Sequence, residues 1–580
     1  MLMASSGVAA QSLKEHSLQS LPKDLPFLAE IKFLLAAHDI GKADERFQRK
    51  LSGETVDYNH ADGSYEFLST KFGDSVLNWL IRSHHNADGV QFEFFKEQAV
   101  SIPKSFVNDI GLKTLKDKLP KNKVYTPAEI LFLFSCLKYF DRSDRYYHIN
   151  SAERPLLQTP LSLAKLENFR NSLKKGAREE VYNELWAAVG KFQWGDKKTC
   201  FIKSPTGSGK TLSALRLALK DNIKKLVYVA PFLSITAQVS DQLKKIFGDG
   251  QVVDFTSLSQ DEKCEDLDSG FLEYSFTKPV TVITAYKFVE GMFFSLPITY
   301  GYLNSTVIID EWDSFSSDYK ALAQRQIKLL NDIEIKVIII SATIGDNEAD
   351  ILVKDQNPPT IITTKANDLS KIAIKDKTLI IINRKADCKK AFKSLSDKYG
   401  KLGFALIYHS GDLCSRHKID NFKRIKNILS APNGKIIVIG TLGLQRGMDA
   451  SFEMVVREQT DISSMIQSKG RCNRGGEYKE GYFVEYDGRF MNEIDDSIAY
   501  RIEPISVYNP YTKSRVDCHS VVEMFDNYGF REIIAEQPKE HRYLVEYEGN
   551  LENCYSQELL KGTGQKETEF PLLHTIRYLA

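Results

Sequence analysis

Residues 199–219 read TCFIKSPTGSGKTLSALRLAL, three elements in succession. TCFIK is a short apolar run that predicts a strand. SPTGSG is a glycine-rich turn, and KTLSALRLAL carries Leu212, Leu215 and Leu219 at helical spacing. Gly207 and Gly209 let the backbone wrap a phosphate group so that its amides and the helix N-terminus face the charge. Lys210 adds a point charge and Thr211 a hydroxyl for Mg2+. The candidate phosphate-binding residues are therefore Ser204, Pro205, Thr206, Gly207, Ser208, Gly209, Lys210 and Thr211. Ser204 stands where the usual pattern has Gly or Ala, and a small residue still fits there.

Outward from this segment, the apolar runs KLVYVAPF, VTVITAY, STVIIDE, IKVIIISAT, TLIIIN, FALIYHS and KIIVIGT alternate with amphipathic stretches. Runs of this length separated by helices predict buried parallel strands. They predict two α/β sheets in tandem, joined near residues 355–375, with the motifs at strand ends, where open α/β sheets bind ligands. In STVIIDEWDSF, Asp310 is placed to hold the Mg2+ water shell and Glu311 to orient and deprotonate an attacking water. In IIISATI, the Ser341 and Thr343 hydroxyls are placed to reach the Asp310 region. In QSKGRCNRGG, Gln467 is a further nucleotide-site candidate. The three-residue spacing of Arg471 and Arg474 predicts that both share a helix face directed at a γ-phosphate.

Residues 25–145 read as helical, through LPFLAEIKFLLAAHDIGK and PAEILFLFSCLKYFDRSD. AAHDIGK is expected on a helix, where His38 and Asp39 would ligate a metal and Lys42 would bind a phosphate or stabilise a leaving oxygen. The same N-terminal part of the chain holds His16, His60, His84, His85 and Asp141, so with His38 five of the chain's 11 histidines fall in this set. Asp144 is an alternative to Asp141. His/Asp donors favour a divalent transition metal (Mn2+, Ni2+, Co2+ or Fe2+), and two ions would suit in-line phosphodiester hydrolysis.

Composition narrows the class further. The 580 residues carry 77 Lys+Arg against 76 Asp+Glu, a net charge of +1, so any nucleic-acid path must be local. No apolar run approaches the ~20 residues of a membrane span and the N-terminus does not read as a signal peptide, so a cytoplasmic location is expected. The eight cysteines include no CxxC pair, which argues against a zinc ribbon or a disulfide framework. Nothing predicts coiled-coil assembly, and a monomer is expected.

In order and content, the motifs from Ser204 to Arg474 resemble superfamily two helicases. The loops around Pro231, Thr284, His409 and Ser410, and Thr441 and Gly447 match that family's contacts to the sugar-phosphate backbone of one strand. With the HDIGK string and the downstream histidine pair, the chain resembles the CRISPR-associated helicase-nucleases of type I interference systems. The resemblance implies an all-α HD-type metal phosphohydrolase domain (1–165), two RecA-like α/β helicase domains (166–365 and 366–500) and a small C-terminal accessory region (501–580). It implies ATP and Mg2+ at the motor, single-stranded DNA as substrate, a guide-RNA surveillance complex as partner and a prokaryotic cytoplasm. The family's nicking followed by 3′ to 5′ translocation would be expected too. The main alternative is an ATP-dependent RNA or ribonucleoprotein remodeller with an inactive HD domain. A nucleotide phosphohydrolase with a sensing motor and a non-enzymatic recruitment adaptor are two further readings.

Overall fold

The computed structural model describes residues 2–5, 11–23, 25–85, 100–149, 160–173, 178–231, 233–255, 278–290, 301–315, 317–410, 413, 415–441 and 450–487, with strands at 505–509, 514–518, 541–547, 550–554 and 570–571. Among the described residues, no helix is long and apolar enough to cross a membrane.

The N-terminal region is not purely helical. It opens with an antiparallel pair, β1 (Met3–Ser5) and β2 (Gln11–Ser12). Ser12 then caps α1 (Leu13–Ser17): its hydroxyl accepts from the Glu15 amide and donates to the Glu15 carboxylate. There follow α2 (Leu28–Ala37), α3 (Glu45–Leu51), α4 (His60–Phe72), α5 (Val76–Arg82), α6 (Lys104–Asp109), α7 (Leu112–Asp117) and α8 (Pro127–Ile149). Asp44, Asn59 and Ser75 cap α3, α4 and α5 with their side chains. In α2, Ile31, Phe33, Leu34, Leu35, Ala36 and Ala37 are all buried. Apolar nearly all round, α2 is an interior helix, and it packs on α5, α7 and α8.

After α9 (Leu163–Ser172) and α10 (Glu179–Lys191) comes a seven-stranded sheet in the order β5-β6-β4-β7-β8-β3-β9. Its strands are β3 (Thr199–Lys203), β4 (Lys225–Ala230), β5 (Val252–Phe255), β6 (Val280–Thr284), β7 (Ser305–Ile309), β8 (Lys336–Ser341) and β9 (Ile351–Leu352), all parallel. The second sheet is also parallel, in the order β10-β15-β14-β11-β13-β12. It comprises β10 (Ile361–Ala366), β11 (Lys377–Ile381), β12 (Ala405–His409), β13 (Ile436–Gly440), β14 (Met454–Glu458) and β15 (Gly481–Tyr486). Because β10 is hydrogen-bonded to β15, this sheet begins at Ile361. Beyond residue 500, two small antiparallel groups contain the remaining strands.

Alternation sorts each strand of the first sheet between two apolar layers, as expected of parallel strands covered on both faces. Leu226 and Tyr228 face one layer with α10 and α11 (Lys210–Leu219). Val227, Val229, Val307 and Val337 face the other, which runs without a break into α2 and α8. The helix Ser317–Asp332, just past β7, packs directly on α8. The helical domain and the first sheet thus share one core.

Candidate metal centre and nucleotide site

The helix expected through AAHDIGK ends at Ala37. His38 is its C-cap, and Asp39 leaves the helical region (φ −105°, ψ 13°) before the tight turn Ile40–Ala43. That break turns the buried Asp39 carboxylate into the centre of the domain. Oδ1 lies 3.2 Å from His60 Nε2 and 3.5 Å from His84 Nε2. Oδ2 lies 3.3 Å from His16 Nε2, 3.5 Å from His38 Nε2 and 2.6 Å from Lys42 Nζ. Two donor groups result, each with its ligand atoms within 4.8 Å of one another: His16, His38, Asp39 and Asp141, and Asp39, His60, His84 and His85. All seven metal candidates fall in these groups, with one Asp39 oxygen toward each. Asp141 Oδ1 lies 3.3 Å from His16 Nε2 and 3.4 Å from His38 Nε2, so Asp141 points inward, whereas Asp144 meets the far side of His16.

The chemistry of the donors fits a cation. His38 Nδ1 lies 2.8 Å from the Leu35 carbonyl and His84 Nδ1 2.5 Å from the Ile81 carbonyl. A carbonyl only accepts, so Nδ1 carries the proton and Nε2 turns a lone pair inward. His38 Nε2 then faces His16 Nε2 at 3.2 Å, beside two carboxylates. Among the described residues, neither Asp39 oxygen nor His84 Nε2 has a well-directed hydrogen bond. Acceptors gathered this way in a buried space repel one another unless a proton or metal ion stands between them. Without a metal, burial would depress His16, but Asp141, Asp144 and Asp39 outweigh it and push its pKa up to about 11.

In the nucleotide site, Gly207 and Gly209 take the positive φ expected of the turn, 79° and 74°. Gly209 is the N-cap of α11, and the Tyr182 ring from α10 lies where a Cβ on Gly209 would be. The Ser204 departure has a local use. Its buried hydroxyl donates to Ser208 Oγ at 2.7 Å, and Ser208 donates to the Pro205 carbonyl, stapling the loop. Lys210 Nζ is buried with no hydrogen-bond partner among the described residues, as suits a lysine that binds phosphate.

Asp310 accepts from Tyr228 Oη at 2.6 Å and from the Glu311 amide at 2.9 Å. Burial, together with the adjacent Glu311 charge, raises its pKa to about 6. Glu311 is left-handed (φ 50°), and its Oε2 is buried without a hydrogen bond. A non-glycine residue held there marks strain kept at a working site.

Ser341 reaches the Asp310 region at Asp313: its hydroxyl donates to Asp313 Oδ1 at 2.6 Å, and the Thr343 amide donates to Ser341 Oγ. Gln467 of the second domain donates to the other Asp313 oxygen. Burial would raise Asp313, but the Ser341 bond and the Lys210 charge outweigh it and lower its pKa. One expectation is corrected: Arg471 and Arg474 do not share a helix face. The helix Ile462–Lys469 is capped at Gly470, and a turn with Asn473 at φ 45° follows. That turn brings Arg474 Nε to 3.1 Å from the Cβ position of Gly207, across the cleft between the sheets.

Comparison with known proteins follows the same division. Residues 187–351 match the DEAD/DEAH box helicase family, and residues 374–477 match the C-terminal part of the CRISPR-associated nuclease/helicase Cas3. The two matches put a helicase-family segment over the first parallel sheet and a Cas3-like segment over most of the second. Among solved structures, T. fusca Cas3 with ATP is 13% identical, with a TM-score of 0.61 over 80% of this chain and 69% of that one. A CRISPR-associated protein is 14% identical, with a TM-score of 0.58 over 92% and 75%. A chain of a pre-nicking CRISPR RNA-guided surveillance complex is 13% identical, with a TM-score of 0.54 over 87% and 73%. No curated protein sequence matches the chain. The likenesses establish a Cas3-like multidomain fold with parallel α/β sheets.

The remaining loops of interest also follow strand ends. Pro231 follows β4, Thr284 ends β6, His409 ends β12 with Ser410 next, and Thr441 follows β13. Gly447, Phe232 and the GD of YHSGD lie outside the described residues, as does most of the stretch beyond 500. Sequence reading missed Arg178 and Tyr182, which reach the phosphate loop from the start of α10. Arg178 donates to the Thr206 carbonyl and pairs with Asp355 at 3.2 Å. No spacing signal marks them, since they precede the motif by a full helix.

Proposed function

We propose that this chain is an ATP-dependent single-stranded DNA translocase with a metal-dependent single-stranded DNA nuclease in its N-terminal domain. It would degrade target DNA in type I CRISPR interference. The carrying observation is the pair of inward-facing donor groups that share Asp39. Their carboxylate oxygens and inward-turned imidazole nitrogens are the donors a divalent transition metal takes. The domain limits read from sequence (1–165, 166–365, 366–500 and 501–580) describe this division of labour. A monomer working in the prokaryotic cytoplasm on a strand opened by a guide-RNA surveillance complex completes the reading.

At the motor, Ser204 through Thr211 would cradle ATP, with Thr211 and Asp310 holding Mg2+. Lys210 would neutralise the phosphates, Glu311 would take the proton of the attacking water, and Arg474, with Arg471 beside it in the same turn, would meet charge developing on the γ-phosphate. Gln467 would report closure of the cleft through Asp313. At the metal centre, His16, His38, Asp39 and Asp141 would hold one ion and Asp39, His60, His84 and His85 a second. Divalent ions such as Mn2+, Ni2+, Co2+ or Fe2+, when bound there, supply an activated water and stabilise the leaving oxygen. Lys42, paired with Asp39, stands ready to bind the phosphate. A flexible single strand reaches so buried a centre more readily than a duplex.

The test is digestion of circular single-stranded DNA with Mn2+, Ni2+ or Mg2+, comparing wild type with His38→Ala. Metal-dependent cutting that the variant lacks is expected. No cutting with any metal, despite DNA-stimulated ATPase activity, would leave a remodelling helicase with an inert HD domain.

A further inference from the structure

Asp144 lies three residues after Asp141 on α8 and addresses the opposite side of the same imidazole. Its Oδ2 is 2.9 Å from His16 Nδ1, and it accepts from Gln11 Nε2 at 2.9 Å. His38 and His84 hold Nδ1 against neutral carbonyls. His16 holds it against a carboxylate. Both hydrogen-bond types fix which nitrogen faces inward, but the anionic one also strengthens the ring as a donor.

The supporting frame is the N-terminal strand pair. Gln11 sits on β2 and His16 on α1, directly after it. The pair is latched from α3, where the Gln48 side chain exchanges hydrogen bonds with the Met3 amide (3.1 Å) and carbonyl (3.0 Å) and reaches the Lys42 carbonyl at 2.7 Å. His16 is therefore brought to the centre by a segment that Asp144 and Gln48 pin in place.

The two donor groups are unequal. The group with His16 holds two carboxylates, and His16, His38 and Asp39 are buried; the other has Asp39 alone as its carboxylate, with His85 exposed and His60 half-buried. More negative charge and less water favour retention of a divalent cation. We propose that Asp144, held by Gln11, is the positioning residue for His16 and makes the His16, His38, Asp39 and Asp141 group the tighter of two metal positions. The inference rests on the metal-centre reading above. It adds an order of filling and a residue that sets it.

The test uses the full chain stripped of metal and titrated with Co2+. Bound ion is counted after desalting, and the visible absorption of the cobalt is recorded at each step. Wild type should show a tight and a weaker ion, one for each group. Asp144→Ala should weaken the first by about 10- to 100-fold and replace its spectrum with that of the weaker ion. Asp144→Asn keeps an acceptor for Nδ1–H without the charge and should fall between, with Gln11→Ala changing in the same direction. Those two variants carry the comparison if Asp144→Ala does not fold, as judged by circular dichroism. Tight first binding with an unchanged spectrum in the Asp144 variants would overturn the proposal while leaving a metal centre. A wild-type chain that takes up no cobalt would remove the metal-centre reading, and this inference with it.

Discussion

Gln467, on the helix that follows β14 of the second sheet, donates its side-chain amide to the carboxylate of Asp313, four residues past the end of β7 in the first. Asp313 takes its other bond from Ser341 at the end of β8. One half-buried carboxylate thus registers both the strand beside the phosphate loop and the position of the opposite domain. A hydrogen bond to a charged group contributes roughly 1.5–3 kcal/mol. Gln467→Ala is therefore expected to lower DNA-stimulated ATP turnover by about 10- to 100-fold and to change ATP affinity much less. Equal losses with and without DNA would dissociate this contact from strand sensing.

The two proposed engines should separate by mutation. Lys210→Ala removes the buried ammonium of the phosphate loop, so ATP hydrolysis should vanish while metal-dependent cutting of free single strands persists. Asp39→Ala removes the carboxylate common to both donor groups, with the opposite expected outcome. Parallel ATPase and nuclease assays decide, and loss of both activities in either folded variant would sink the two-engine model.

Arg474, whose Nε lies against Gly207, is expected to act on the γ-phosphate from across the cleft. Arginine fingers contribute about 10^3- to 10^5-fold to turnover. Arg474→Ala should lower kcat on that scale with little change in nucleotide affinity, read by steady-state ATPase assays beside nucleotide binding. A loss confined to KM would assign Arg474 to ground-state binding.

Gly41 of the HDIGK string explains why a glycine stands there. Its Cβ position coincides with the His60 carbonyl and lies 2.8 Å from the Ser64 amide, so the tight turn is pressed against the start of α4. Overpacking of this kind costs about 1–3 kcal/mol, and the strain would fall on the helix that carries His60. Gly41→Ala should weaken metal binding without altering any ligand. Unchanged cobalt titration and melting temperature would show that the turn absorbs the methyl group.

Asp310 carries a stability cost tied to pH. Its pKa is raised from 3.8 to about 6 in the folded chain. Below about pH 4 the carboxyl is neutral in both folded and unfolded states and costs nothing. As pH rises through 6 the folded state must ionise it beside Glu311, and stability is lost, by up to ~3 kcal/mol. In the nucleotide-free protein, Asp310→Asn should therefore melt higher than wild type at pH 7.5, with the gain fading as pH falls toward 4. A gain of equal size at pH 4 would point to some cause other than ionisation.

The parallel sheets were legible because strands buried on both faces become unbroken apolar runs, and Val227 to Ala230 or Ile437 to Ile439 leave no other reading. The edge strand β10, IITTKA, has a mostly exposed face and no such run, and β9 is two residues long. Neither could stand out. The seven metal candidates were found by residue type alone, because histidines are scarce elsewhere. Their division into two groups was hidden, since it depends on the break after Ala37 that turns Asp39 between them. The Arg471 and Arg474 spacing misled for a related reason: it assumed a helix that Gly470 ends. The choice between Asp141 and Asp144 lay beyond spacing too, because both project from the same side of α8 and differ only in which edge of His16 they meet.

The unbroken apolar layer between α8 and the helix Ser317–Asp332 has a mechanical meaning. Asp141 rides on one of these helices, and the other begins just beyond Glu311, so blade and engine block are cast as one piece. The second domain meets this piece across the cleft through polar bonds such as Gln467 to Asp313, which can break and re-form. If the cleft opens and closes with each ATP, the span from the first domain's strand-holding loops to the cutting centre stays constant. The register between grip and cut then belongs to the frame and not to the nucleotide state.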